Sequence, residues 1–365
     1  MSKAAELANL IGNINAGGGG VNRNVIINGA MNVAQRGTSS TGIGASSGYF
    51  ACDRWKITTG NTAGRLTMTQ DSSAPSGFAN STKLACTTAD TSIAADEITI
   101  LGQSLEGQNV QAFAKGTSDA KPFVVSFYVK GNASATYVAE LYDHDNTRNI
   151  TQAFSVTTDW ARVELTFPAD TTGALDDDNA ASLTFQIWIH AGSTYSGGTF
   201  ADNTWGSVTQ ANRYAGSRTS FFDSTDRTFF LTGCQLEVGQ NPTEFEHEPI
   251  ERTLAKCKRY FHTYGGTNAF EHLPFLGQGN SSSINFSHEL PVEMRSTPSL
   301  TQSGSWQVND GYLGSYYTLS SVALDNLSTK LVRGSATTSS AIGGDIGRML
   351  AYNDIDARWS YSAEL

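Results

Sequence analysis

At 365 residues the chain is long enough for two domains of ordinary size and for a core that needs neither metal nor disulfide to fold. Only 16% of the residues are charged, against about 25% in a typical domain, and Gly alone numbers 36; a neutral, hydroxyl-rich surface of this kind suits an extracellular, adhesive or virion protein better than a cytosolic enzyme. The formal charge of −10, from 24 Lys and Arg against 34 Asp and Glu, removes counterion-release affinity for nucleic acid and opposes docking on anionic membranes.

Residues 1–15 read as a helix. Leu7, Leu10, Ile11 and Ile14 recur at i, i+3, i+4 and i+7 and form one apolar face. A helix this short is marginal in water on its own, since isolated helices under about 12–15 residues are unstable. It must therefore pack on something. Ala16–Gly20 reads as a flexible tether, so the helix is expected to anchor the chain to a larger assembly or to bundle with copies of itself; the alternative is that it folds back on its own domain. The opening segment has no long apolar run, so no secretory signal is expected, and no stretch of about 18 apolar residues predicts a membrane span.

From Asn24 the pattern changes to period two. In "KPFVVSFYVKG" Phe123, Val125, Phe127 and Val129 share one face; in "SLTFQIWIHAG" Leu183, Phe185, Ile187 and Ile189 do. Turn clusters rich in Gly, Asp, Asn and Pro separate these runs. Short strands with no intervening helices predict a jelly-roll β-sandwich over residues 21–248. "GQNP" then ends a strand that carries Cys234, Leu236 and Val238 on one face. The stretch 249–265 reads as a bridging helix: Pro249 suits its first turn, Glu248 and Glu251 lie near its start, and Lys256, Lys258 and Arg259 lie nearer its end. Ile250, Leu254, Cys257 and Phe261 form its expected buried stripe. Residues 266–365 return to strand patterns and predict a second, smaller β-sandwich. The four cysteines, Cys52, Cys86, Cys234 and Cys257, have no C-x-x-C spacing, so buried free thiols are expected.

"NRNVIINGAMNVAQRG", then "YFACDRW", then "GCQLEVGQNPTEFEHEPIERTLAKCKRYF" resemble, in that order, a family of bacteriophage structural proteins. These are described as tail-fiber or receptor-binding proteins, common among phages of marine bacteria. The matched motifs lie within residues 20–265, and the closing "AEL" is similar too. The resemblance implies a jelly roll akin to carbohydrate-binding modules followed by a second sandwich, assembled as a homotrimer. It implies a virion location after assembly in the bacterial host cytoplasm. The implied partners are other virion proteins, of tail or capsid, and a host cell-surface glycan or protein. It transfers no catalytic residue. Read physically, Asn28 and Gly29 supply a tight turn, and Asp53 and Arg54 flank Trp55 as a pair that pins a core tryptophan.

Phage fibers can cleave glycans, so paired carboxylates are the chemistry to seek. Glu140, Asp143, Asp145, Asp170 and Asp176–Asp178 are the candidates, and all lie in or beside turn-like sequence. No G-x-S-x-G, H-E-x-x-H or phosphate-loop motif occurs, and the six histidines lack metal spacing on a helix. Asp176–Asn179 reads as a solvated acidic loop more than as a calcium site. The expectation is a binding protein with no enzyme activity, cofactor or metal. Glycan binding needs exposed aromatic faces beside polar groups of fixed geometry. Two segments qualify: Tyr195, Phe200, Trp205 and Tyr214 in one long loop, and Trp306, Tyr312, Tyr316 and Tyr317 in another. The bland alternative for both is that these rings cover a sandwich or make subunit contacts. The sequence thus reads as a tail fiber that anchors by its N-terminus and binds the host surface. A capsid decoration or head fiber and a glycan depolymerase are the alternatives.

Overall fold

In this computed structural model residues 2–15, 22–273, 276–310, 315–342 and 346–365 are described. The fold is mainly β. The chain divides into two compact units, Met1–Thr253 with Leu365, and Leu254–Glu364.

The first unit holds helix α1 (Lys3–Asn15) and strands β1 (Ser39–Ile43), β2 (Gly48–Tyr49), β3 (Lys56–Gly60), β4 (Arg65–Asp71), β5 (Ser81–Thr88), β6 (Ile98–Glu106), β7 (Phe123–Gly131), β8 (Ala135–Asp143), β9 (Arg148–Val156), β10 (Ala161–Phe167) and β11 (Ala181–Ala191). A short helix α2 (Ser193–Ser196), β12 (Gly206–Ser207) and β13 (Thr228–Val238) follow. A six-stranded sheet in the order β1-β4-β5-β13-β7-β10 faces a seven-stranded sheet in the order β12-β9-β8-β11-β6-β3-β2. The predicted sandwich is there, and its core forms from the residues that the period-two pattern selects. Phe123, Val125, Phe127 and Val129 of β7 and Leu183, Phe185, Ile187 and Ile189 of β11 are fully buried, and Phe127 meets Phe185 at 5.8 Å between ring centroids. Each such side chain contributes about 1.5–3 kcal/mol by leaving water.

The expected turn at Asn28 is tight. Asn28 takes φ +57°, accepts a hydrogen bond from the Val33 N–H, and donates to the carbonyls of Val33 and Asp53. Gly29 has no alternative, because a Cβ there would lie 2.1 Å from the carbonyl oxygen of Cys234. Trp55, fully buried, donates from Nε1 to the Asn28 carbonyl. Beside it, Asp53 accepts from the Gln35 N–H at 2.9 Å, and Arg54 donates to the Ser104 carbonyl at 2.7 Å. All four cysteines are free and buried, and burial pushes the Cys52 thiol up to about 12.

In α1, Ser2 begins the first turn, its carbonyl accepting from Ala5 and Glu6. Leu7 and Ile11 are 57% and 49% exposed and Leu10 is half-buried; the side chain of Ile14 lies outside the described residues. Helix α3 runs over Ile250–Lys258, and the boundary between the units falls inside it. The predicted stripe is corrected at both ends. Ile250 is 52% exposed, and Phe261 belongs to a strand rather than to the helix. Leu254, half-buried, and Cys257, buried, follow the reading within the helix, and Phe261 is buried as expected but from a strand. The helix stops short of 265 because Phe261–Gly265 pairs along its length with the strand Arg358–Ser362, which captures its backbone groups.

The second unit continues with β14 (Phe261–Gly265), β15 (Leu276–Glu289), β16 (Ser299–Ser303), β17 (Trp306–Asp310), β18 (Tyr316–Leu327), β19 (Leu331–Ile342), β20 (Ile346–Ala351) and β21 (Arg358–Ser362). Its sheets have the orders β14-β21-β16 and β15-β19-β18-β17-β20. Its own core is separate and aromatic: Trp359 packs edge-on against Trp306 at 6.0 Å and Phe286 at 5.3 Å.

Candidate functional site

Strand β17 lies between β18 and β20, and its alternation splits two neighbouring residues between two environments. Trp306 and Val308 turn inward and are buried in the core. Gln307 takes the other face, as period two requires. It lies opposite Thr318 of β18 and Leu350 of β20. Two residues along from Thr318, on the same face, is Tyr316. Two residues beyond Leu350 is Tyr352, held by its N–H on the Ser305 carbonyl at 2.9 Å. The segment before β15 closes the side. Leu273 donates to Met349, Ala351 to Glu271 and Asp354 to Ala269, and these backbone bonds carry Phe270 alongside.

The result is a cleft of about 370 Å³ lined by Phe270, Gln307, Tyr316, Leu350 and Tyr352. Phe270, Tyr316 and Tyr352 are 48%, 47% and 51% exposed, so each ring keeps about half its surface for a ligand. Gln307 is 93% buried by contrast (7% exposed). Its Nε2 donates to Thr318 Oγ1 at 3.3 Å, while Oε1 has no hydrogen-bond partner among the described residues. Aromatic and aliphatic walls around one fixed polar group are the usual make-up of a small-molecule site.

Of the sequence candidates in this unit, Tyr316 lines the cleft. Tyr317 has the opposite parity and packs partly buried against the core. Trp306 is corrected: at 1% exposure it is a core residue, its Nε1 donating to the Ser303 carbonyl, with no face open to a sugar. Tyr312 lies outside the described residues. Phe270, Gln307, Leu350 and Tyr352 were missed. The parity of "WQVN" against "YYT" carried the signal for Gln307 and Tyr316, but only the strand register identifies Leu350 and Tyr352 as their neighbours.

The long loop of the first unit lies over a sheet, and the reading of Tyr214 as a sugar platform is corrected. Tyr214 is buried, donates from its hydroxyl to the Thr219 carbonyl, and stacks 6.3 Å from Trp188. Tyr195 lies 5.5 Å from Trp188 and is half-buried. Trp205 is also half-buried; its Nε1 donates to the Pro168 carbonyl, and the Lys115 ammonium lies 5.2 Å from its ring centre. Under this loop, Arg213 grips Glu140 through Nε at 2.9 Å and Nη2 at 2.8 Å. Trp188 Nε1 and Asn149 Nδ2 donate to the same carboxylate, each at 2.6 Å.

The other carboxylates are similarly engaged. The fully buried Lys115 ammonium donates to Asp143 at 2.6 Å and lies 3.1 Å from Asp170, and it also donates to the carbonyls of Thr172 and Gly173. Burial alone would raise the Asp170 carboxyl, but hydrogen bonds from Arg148, the Thr172 N–H and Lys115 outweigh it and hold it below the usual range. Asp176, Asp177 and Asp178 are exposed; Asp178 accepts from the Ala180 N–H, as turn-forming aspartates do. Among the described residues no group of three or more His, Cys, Asp or Glu can hold a metal. One chain of contacts was not foreseen: His190 reaches Ser220 Oγ at 2.8 Å through Nδ1 and Glu97 at 2.9 Å through Nε2. His190 is fully buried, and burial lowers its pKa against the pull of Glu97. These two bonds tie Ser220, just after the loop, to strand β11 and to Glu97.

No family model and no curated protein matches the chain. Among solved structures, neighbours are a phage tailspike domain and carbohydrate-binding modules. The enzymatically active domain of tailspike protein 4 from bacteriophage CBA120 has a TM-score of 0.31 at 10% identity, over 59% of this chain and 21% of that one. A family 11 carbohydrate-binding module from Clostridium thermocellum has 0.27 at 12% identity, over 57% and 98%. A xylan-binding domain of family 22 has 0.29 at 11%, over 54% and 98%. Likenesses this loose carry no argument about what this chain binds.

Proposed function

We propose that this protein is a phage virion appendage, a tail fiber, that binds host-surface glycan through the cleft of its second unit. The observation that carries the binding half is the set of three half-exposed rings around one buried amide. Sugar rings offer C–H faces that stack on aromatics and hydroxyls that seek fixed polar partners. The virion half rests on the sequence motifs, and on a helix whose Leu7 and Ile11 keep about half their surface in water. Such a stripe gains stability by packing on a partner, here the particle or two further copies of the chain. The role in this reading is retention of the glycan, without bond cleavage; glycoside hydrolysis uses two carboxylates at the bound sugar, and none is among the described residues that line the cleft.

Adsorption of the purified protein to host envelope polysaccharide tests this. Tyr316→Ala and Tyr352→Ala should each weaken retention by about tenfold, the scale of a lost stacking contact. The melting temperature should hold, since both side chains are exposed. Unchanged retention in both variants would overturn the assignment, and release of oligosaccharides would favour a depolymerase.

A further inference from the structure

The cleft is specific about the hydrogen bond it lacks. Among the described residues Gln307 Oε1 is a buried acceptor with no donor, and its own Nε2 is occupied by Thr318. A buried acceptor left unpaired is costly, and native structures rarely keep one without a use. Its surroundings narrow the choice of donor. Leu350 lies directly across the strand pair, and Tyr316 and Tyr352 lie diagonally, one toward residue 309 and the other toward residue 305. A sugar hydroxyl delivers a proton but brings lone pairs of its own, and Leu350 has nothing to offer them. An amide N–H delivers a proton and no lone pair. In an acetamido group that N–H is flanked by a methyl, which needs apolar contact, and by a ring face, which needs an aromatic one. Among the described residues that line the cleft there is no Lys, Arg or His.

Building on the glycan-binding reading, we propose that the cleft takes a 2-acetamido sugar, with its N–H donated to Gln307 Oε1, its methyl against Leu350 and its ring face on Tyr316 or Tyr352.

Calorimetric titration of the full chain with two trisaccharides decides it. β-1,4-linked tri-N-acetylglucosamine and cellotriose share a linkage and differ at C2 alone. The acetamido trimer should bind roughly tenfold tighter, the worth of one satisfied buried hydrogen bond. Gln307→Leu should erase that preference while leaving weak binding of both sugars. Should this variant fail to fold, saturation-transfer NMR on the unaltered protein reads the same contact: the acetamido methyl should be the most strongly saturated proton set. Equal binding of both trimers, lost in Tyr316→Ala, would overturn the acetamido assignment and leave the glycan site standing. No binding of either at millimolar sugar would overturn both.

Discussion

Arg213 and Glu140 are 73 positions apart in the chain and meet as a two-pronged ion pair beneath the long loop. Removing one partner from a buried pair strands the other charge, so Arg213→Met should destabilise the first unit by about 3–5 kcal/mol in urea unfolding. Replacing both, as Glu140→Met with Arg213→Met, should cost much less. Equal losses from the single and double variants would show that the loop is held by packing alone. Nothing near either residue in sequence announces this bond, and Glu140 was instead a candidate for catalysis. Neighbouring residues teach the same lesson. Trp306 and Gln307 are adjacent, and the more conspicuous one is core while the plainer one is the site. A side chain's chemistry was legible from its letter, but its direction required the strand register.

At the level of elements, α1 was read correctly as a short amphipathic helix, because a 3.6-residue apolar spacing needs only local information. Leu7→Ser with Ile11→Ser should leave the unfolding free energy of the chain within about 0.5 kcal/mol of its starting value, as exposed positions do. The same pair should abolish incorporation into particles, measured as copies per virion. Normal copy number would remove the anchoring role. Helix α3 shows where local reading stops. Its pattern continues through Phe261 on paper, yet Phe261–Gly265 is taken by β21, almost a hundred residues later. Partner strands outbid helix spacing wherever they can satisfy the backbone as well, and no local window contains the partner. Tyr214 of the long loop was misjudged for a related reason: its ring covers Trp188 on an outer sheet face that simple alternation assigns to solvent.

Across the whole molecule, the two units carry separate cores, and the second should be sensitive to acid. In the second unit His262 and His288 are buried, and burial lowers them to about 3 and about 4. Both are neutral in the fold, whereas the unfolded chain takes up their protons below about pH 6.5. Unfolding is therefore favoured as pH falls from 6.5 toward 4, by about 1.4 kcal/mol per pH unit for each histidine. Calorimetry should show the transition of residues 254–364 moving down between pH 7.5 and pH 5. His262→Phe should flatten that slope and be close to neutral at pH 7.5; an unaltered slope would mean that other groups govern the acid response. The sequence alone determined the sandwich class, the period-two core of β7 and β11, the free buried thiols and the helix at the N-terminus. Each of these depends on spacing or composition within one short segment. Tertiary structure alone decided which aromatic rings reach solvent, which carboxylates are neutralised and where Gln307 finds its neighbours. Those outcomes depend on strands far apart in the chain meeting in one register, and a shift of one residue would turn every side chain on a strand to the opposite face.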